Sequence, residues 1–269
     1  MNQDYWQKQE PDKPLFPDVL WNKPEQKSKA GKLLIVGGSA HGFRAVVNAY
    51  QTALDNGAGS AKVALPDALR QVATAGSSRQ EAVSSEFIFL PTNDGGGLSL
   101  KGLPELAAAT ERADGVLLVG DTGMNSETAV LLDKVLFANI TPVVITRDSV
   151  DLLLGDPEKL ANRENTVLVM SFAQTQKLFQ KVYYPKILTF SMNLVNLVEN
   201  LHKFTITYPV TVVTHHQENL IVAHGGEVIT QKSGNQMGIL SGELATKCAC
   251  YGLWTKNQPL AAVATAFGN

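Results

Sequence analysis

From residue 32 onward, short β-branched and aliphatic runs alternate with stretches whose apolar residues recur every three to four positions. The runs 33–36, 61–65, 87–90, 115–119, 142–145 and 166–169 have the length and composition of strands buried on both faces. Between them, 45–54, 68–72, 103–110, 127–138 and 172–178 keep the helical period. Strand and helix in that cadence predict a mostly parallel, doubly wound α/β sheet with helices on both faces. After a long helical stretch at 186–204, the runs 210–214, 220–223 and 227–230 stand too close together for helical crossovers, which predicts antiparallel strands. Helices at 241–254 and 259–267 close the pattern. Residues 1–30 break it: Pro11, Pro14, Pro17 and Pro24 remove backbone donors and fix φ, so they read as an extended arm before a single α/β domain at 31–269. Trp6, Phe16, Leu20 and Trp21 are too large and apolar to leave in water, which predicts that the arm packs on its own domain or on a neighbouring subunit.

The 269 residues are 44% hydrophobic and 18% charged, a composition that supports a sizeable buried core. Lysine plus arginine number 23 against 25 acidic residues, and no long run of one sign appears, so nucleic acid is not expected as a partner. No apolar stretch reaches membrane-spanning length and the N-terminal region lacks a signal-peptide core, which predicts neither membrane insertion nor export. Cys248 and Cys250 lie two positions apart on a helical pattern, where they point in different directions and cannot bridge. A reducing cytoplasm suits that usage.

In a doubly wound sheet, ligands bind beyond the carboxyl ends of the strands, so the loops after each strand carry the candidate chemistry. Gly37-Gly38-Ser39-Ala40-His41-Gly42 follows the first predicted strand of the domain but matches neither the dinucleotide fingerprint nor a P-loop. Gly120-Asp121-Thr122-Gly123 again joins strand to helix, and Ser241-Gly242-Glu243 opens a helix where free N–H groups can face an anion and Glu243 can act as a base. The plainer reading of that last motif is an N-cap serine with an acid in the first turn. His215, His216 and His224 tempt a metal assignment, but strand neighbours face opposite sides and no third ligand has zinc-like spacing. They read as solvated strand-end histidines, and no metal site is expected from them.

The stretch Gly31-Lys32-Leu33-Leu34-Ile35-Val36-Gly37-Gly38-Ser39, running on to Gly57-Ala58-Gly59 and the strand 61–66, resembles the ADP- or ATP-dependent NAD(P)H-hydrate dehydratases of the ribokinase-like superfamily. The likeness extends in order through 114–128, similar to the family's strand and G-P-G-L-G loop, and through Pro142-Val143-Val144-Ile145 with Asp148. It covers 27–268, and implies a ribokinase-like fold and nucleotide-driven dehydration of hydrated NADH or NADPH. By position the resemblance implies substrate contacts at Gly38, Ser39, Ala45, Gly120, Gly123, Asp148 and Ser171. It implies nucleotide contacts at His215, His216, Asn219, Ser241 and Gly242, with Glu243 as the catalytic base.

Several positions depart from the family pattern. Arg44 stands where the family has glycine, Asp121 where it has proline, Ser171 and Gln174 where P-H-x-G-E supplies histidine and glutamate. His215 replaces a phosphate-binding lysine, and Leu240-Ser241-Gly242-Glu243 replaces G-T-G-D. The resemblance further implies ADP or ATP and Mg²⁺ as cofactors, a small-molecule substrate and a homo-oligomer. Two functions follow: an active hydrate dehydratase or sister phosphoryl-transfer enzyme, or a lapsed enzyme that still binds nucleotide or dinucleotide as a sensor or scaffold. A third, with Arg44 recruited for a different anion, stays open.

Overall fold

The computed structural model of the chain describes residues 4–11, 13–74, 86–233 and 237–268. Ten strands form one sheet: β1 (Trp6–Gln9), β2 (Lys32–Gly37), β3 (Ser60–Pro66), β4 (Phe87–Leu90), β5 (Gly115–Gly120), β6 (Val143–Thr146), β7 (Thr166–Met170), β8 (Thr211–His216), β9 (Asn219–His224) and β10 (Glu227–Lys232). Their order across the sheet is β1-β10-β9-β8-β7-β6-β5-β2-β3-β4. From β8 to β4 every pairing is parallel, whereas β9 pairs antiparallel with both β8 and β10. The doubly wound, mostly parallel sheet expected from the alternating pattern is therefore what forms, with the antiparallel strands where close spacing required them.

Period-two alternation divides each central strand between two cores. Leu33 and Ile35 of β2 face one side, packed with the helices Arg44–Asp55, Glu243–Trp254 and Pro259–Gly268. Leu34 and Val36 face the other, packed with Leu103–Glu111, Ser126–Ala138, Phe172–Lys181 and Leu194–Thr207. Cys248 and Cys250 lie inside the first core as free thiols, and burial pushes the Cys250 thiol up to about 12.

The proline-rich segment contributes a strand of its own. β1 pairs in parallel with β10, extending the sheet by one edge strand, and Trp6 Nε1 donates to Thr230 Oγ1 at 2.9 Å. Gln9 is buried and donates through Nε2 to Gln231 Oε1 at 2.6 Å and to the Ala264 carbonyl at 2.7 Å. Phe16 and Leu20 pack against the first core, and Trp254 Nε1 holds the Val19 carbonyl at 3.0 Å. Trp21 does not act as the anchor its size suggested, because it is 82% exposed at the end of the short helix Asp18–Trp21.

Two helices differ from the sequence pattern for local reasons. The stretch 186–204 becomes helical only at Leu194, where the Asn193 side chain caps the first turn by accepting from Asn196 N at 2.9 Å. The pattern at 241–254 splits at Gly242, whose φ of 82° is left-handed, leaving the short helix Met237–Ser241 before Glu243–Trp254. The helices Asp148–Leu153 and Pro157–Ala161 fill the β6–β7 connection, which the periodicity had left without an element.

Candidate functional site

The carboxyl ends of β2, β5, β6 and β7 meet at one edge of the sheet, and the loops that leave them are bonded to one another. Gly37 and Gly120 are there for closeness: a Cβ on Gly37 would stand 2.5 Å from the Gly120 carbonyl oxygen, and Gly38 N donates to that same oxygen at 2.9 Å. The Gly38–Gly42 turn closes through Ser39 N to the Gly42 carbonyl at 2.8 Å and rests on the glycine-rich 93–97 loop through Ala40 N to the Gly96 carbonyl at 2.8 Å. Ser39 is buried, whereas Arg44, at the start of the following helix, is exposed.

Asp148 organises the second loop. Its carboxylate accepts from Asp121 N at 2.8 Å, Thr122 N at 3.0 Å, Thr122 Oγ1 at 3.2 Å and Gly123 N at 3.2 Å. Asp121, at φ 58°, accepts Ala45 N on its other oxygen at 2.8 Å and so satisfies one of the open amides of the Arg44–Asp55 helix. Gly38, Gly120, Ala45, Gly123 and Asp148 are thus brought together, with Asp148 turned toward backbone.

Arg147 joins this cluster to the last part of the chain. Its guanidinium pairs with Asp121 through Nη2 and donates through Nη1 to the Leu240 carbonyl. The backbone holds it at φ 57° and ψ −140°, a conformation that costs a non-glycine residue about 1–3 kcal/mol and concentrates at functional sites. Gly242 lies alongside: a Cβ there would stand 3.0 Å from Val119 Cγ2 and 3.6 Å from Arg147 Cδ. Ser241 Oγ accepts Glu243 N at 3.3 Å, and the Glu243 carboxylate, half exposed at the head of its helix, pairs with Lys247 one turn on at 2.7 Å.

Ser171 and Gln174 form a capping box on the Phe172–Lys181 helix, with Gln174 N donating to Ser171 Oγ at 3.2 Å and Ser171 N donating to Gln174 Oε1 at 3.1 Å. The Gln174 amide also donates to the Arg147 carbonyl at 2.8 Å and to Asp151 at 2.7 Å, and Lys177 closes on Asp151 at 2.6 Å. Between these elements lies an open cleft of about 490 Å³ whose lining includes Thr146, Arg147, Asp148, Ser171, Lys177 and Leu240.

The strand-end histidines are not solvated, which corrects the expectation from their position. His215 is buried with Nε2 on the Ser233 carbonyl at 3.2 Å, and His216 is buried with Nε2 on the Met192 carbonyl at 2.7 Å while stacking on Phe172. The hairpin that returns the chain through Asn219 turns them toward packing partners. Asn219 begins β9 opposite His216, and among the described residues no hydrogen bond joins either to the Arg147 cluster. His224 sits across from Thr211, with Nδ1 at 3.0 Å from its hydroxyl, and burial lowers its pKa. Among the described residues no group of three His, Cys, Asp or Glu could hold a metal ion.

Sequence reasoning missed Arg147, Lys177 and Asp151, and it treated Asp121 as a departure only. One signal was available: Arg147-Asp148 directly follows a predicted strand, where a charged pair faces the loop crevice. The S-x-x-Q spacing of Ser171 and Gln174 likewise spells a capping box.

The fold is similar to that of solved ribokinase-like proteins. A ribokinase-like superfamily protein from Enterococcus faecalis V583 superposes over 99% of this chain and 87% of its own, with TM-score 0.70 and 16% identity. The ADP/ATP-dependent NAD(P)H-hydrate dehydratase of Bacillus subtilis, co-crystallised with ATP/Mg²⁺, superposes over 90% of this chain and 79% of its own, with TM-score 0.59 and 14% identity. Hydroxyethylthiazole kinase from Pyrococcus horikoshii OT3 covers 93% of this chain and 80% of its own at TM-score 0.57 and 12% identity. The chain matches no protein-family model and no curated protein sequence. No helix among the described residues is long and apolar enough to cross a membrane.

Proposed function

We propose that the protein is a nucleotide-using enzyme of the ribokinase-like fold that works as an ADP- or ATP-dependent NAD(P)H-hydrate dehydratase, with Glu243 as the base. The observation that carries this is the placement of Glu243. It opens a helix of 12 residues directly after left-handed Gly242, packed against Val119 at the carboxyl end of the central strand β5. The first-turn amides of such a helix, with its dipole, stabilise an anion, and a carboxylate beside them can take the proton of a hydroxyl as phosphate is transferred to it. A nucleotide, when bound, would supply the phosphoryl group. Gly38 and Gly120 are themselves packed against protein, so substrate would be met by the loops they shape, and Ser241 and Gly242 would contact the nucleotide. The solved dehydratase that shares the fold was crystallised with ATP/Mg²⁺, which fits this use. Among the described residues no group of three His, Cys, Asp or Glu could hold Mg²⁺, so any such ion would have to arrive with the nucleotide.

A second reading has specific support. Glu243 is paired to Lys247, and Ser171 and Gln174 are engaged in a cap where the resembled family has P-H-x-G-E. Both features suit a protein that binds nucleotide without turnover.

The deciding experiment mixes the protein with NADH hydrate, Mg²⁺ and ADP or ATP and follows recovery of reduced-nicotinamide absorbance. The enzyme reading expects nucleotide-dependent recovery that Glu243→Gln lowers by about 10²–10⁴-fold. A flat trace with a nucleotide-induced rise in melting temperature supports the binding protein instead.

A further inference from the structure

Two arginines in this protein are held very differently. Arg163 gives all five of its N–H groups to oxygen: Nε to the Leu136 carbonyl, Nη1 to the Glu164 carbonyl and Thr166 Oγ1, Nη2 to the carbonyls of Asn139 and Thr141. It is a structural tie. Arg147 gives only two, one at each end of its fork, to Asp121 and the Leu240 carbonyl. Its Nε is buried without a partner, and among the described residues neither remaining Nη proton has one. The Thr146 hydroxyl beside it is also fully buried and unpartnered, and both residues line the same open cleft.

We propose that the Arg147 guanidinium is the phosphate-binding cation of this cleft, supplied from the end of β6, and that the ligand therefore carries a phosphate chain. This deepens the nucleotide reading and rests on it. The β8 position where the resembled family has a lysine holds His215, which is turned inward onto the Ser233 carbonyl. Arg147 reaches the Gly242 turn from another strand, with its Cδ 3.6 Å from where a Gly242 Cβ would be. A planar fork fixed at both ends is preorganised for bidentate phosphate contact in a way a flexible ammonium is not.

The neighbouring carboxylates do not face the ligand undressed. Asp121 is held by Arg147 and the Ala45 amide, Asp148 by four donors, and Asp151 by Lys177 and Gln174. Lys177 adds a second cation to the lining of the cleft.

The test measures dissociation constants of ATP, ADP, adenosine, inorganic tripolyphosphate and NADH for the wild type, Arg147→Gln and Arg147→Lys, with the unliganded melting temperature as a check on folding. The proposal expects Arg147→Gln to weaken ATP and tripolyphosphate by about tenfold or more and to leave adenosine unchanged, with Arg147→Lys recovering part of the loss. Loss confined to ATP, ADP and tripolyphosphate assigns the phosphate to the nucleotide, whereas loss confined to NADH and tripolyphosphate assigns it to the dinucleotide. Equal or tighter ATP binding by both variants overturns the proposal, leaves nucleotide use intact and makes Arg147 a plug. If the wild type binds none of the phosphate compounds, the proposal and the nucleotide reading fall together. Should Arg147→Gln fail to fold, Arg147→Lys and the wild type decide: a lysine variant as tight as wild type for tripolyphosphate overturns the fork geometry.

Discussion

Asp148 holds three backbone amides and a hydroxyl of a loop that has almost no apolar content of its own, so this one side chain replaces the core contacts the loop lacks. Removing it leaves those donors to water or to nothing, and Asp148→Ala is expected to destabilise the fold by about 2–3 kcal/mol. Urea unfolding of the variant against wild type measures it, and a loss well under 1 kcal/mol would show that solvent replaces the carboxylate without cost. Residue identity alone could not separate this role from substrate contact. An aspartate after a strand suits both, and the outcome depends on which amides the folded backbone aims at it.

At the scale of elements, the ends of helices decide more than their middles. The Phe172–Lys181 helix starts where it does because Ser171 and Gln174 satisfy two of its terminal amides reciprocally. Ser171→Ala is expected to cost about 1 kcal/mol, read as a lower midpoint in thermal or urea unfolding. The Gln174 side chain also ties the helix to the Arg147 carbonyl, so the same variant should loosen the cleft wall, seen as faster amide exchange at 147–151. Unchanged exchange there would restrict the cap to its own helix. β1 was legible only as a proline-bounded segment with large apolar residues. That it becomes a strand depends on the free edge of β10, which exists only after the antiparallel turn of β9 has placed it.

For the molecule as a whole, His224 sets part of the response to acid. Burial lowers its pKa below the ordinary histidine value of 6.5, with Glu227 opposing, so the unfolded chain takes up the proton first as pH falls. Its contribution is therefore complete above about 6.5 and is lost as pH falls through the lower folded value. Melting temperature should drop between pH 7.5 and 5.5, and His224→Asn should flatten that part of the profile. An identical slope in the variant would place the sensitivity elsewhere. Glu127, held below its usual value by hydrogen bonds from Ser99 and the Leu100 amide, acts in a separate, more acid range.

The alternation of apolar runs determined nearly every strand from β2 to β10 and most of the helices between them, though not the two in the β6–β7 connection, because burial on both faces leaves a hydrophobic period that can be read without knowing the neighbours. Close spacing alone determined the antiparallel pairing around β9. The candidate site was legible as a set of glycine-bearing loops at strand ends and as Glu243 opening a helix. What only the tertiary structure decided was the direction of polar side chains. His215 and His216 turn inward, Asp148 binds backbone, and Arg147 spans two loops more than 90 residues apart in sequence with most of its donors unspent. Hydrophobic burial follows from composition and period, whereas a hydrogen bond exists only where folding brings a particular donor to a particular acceptor.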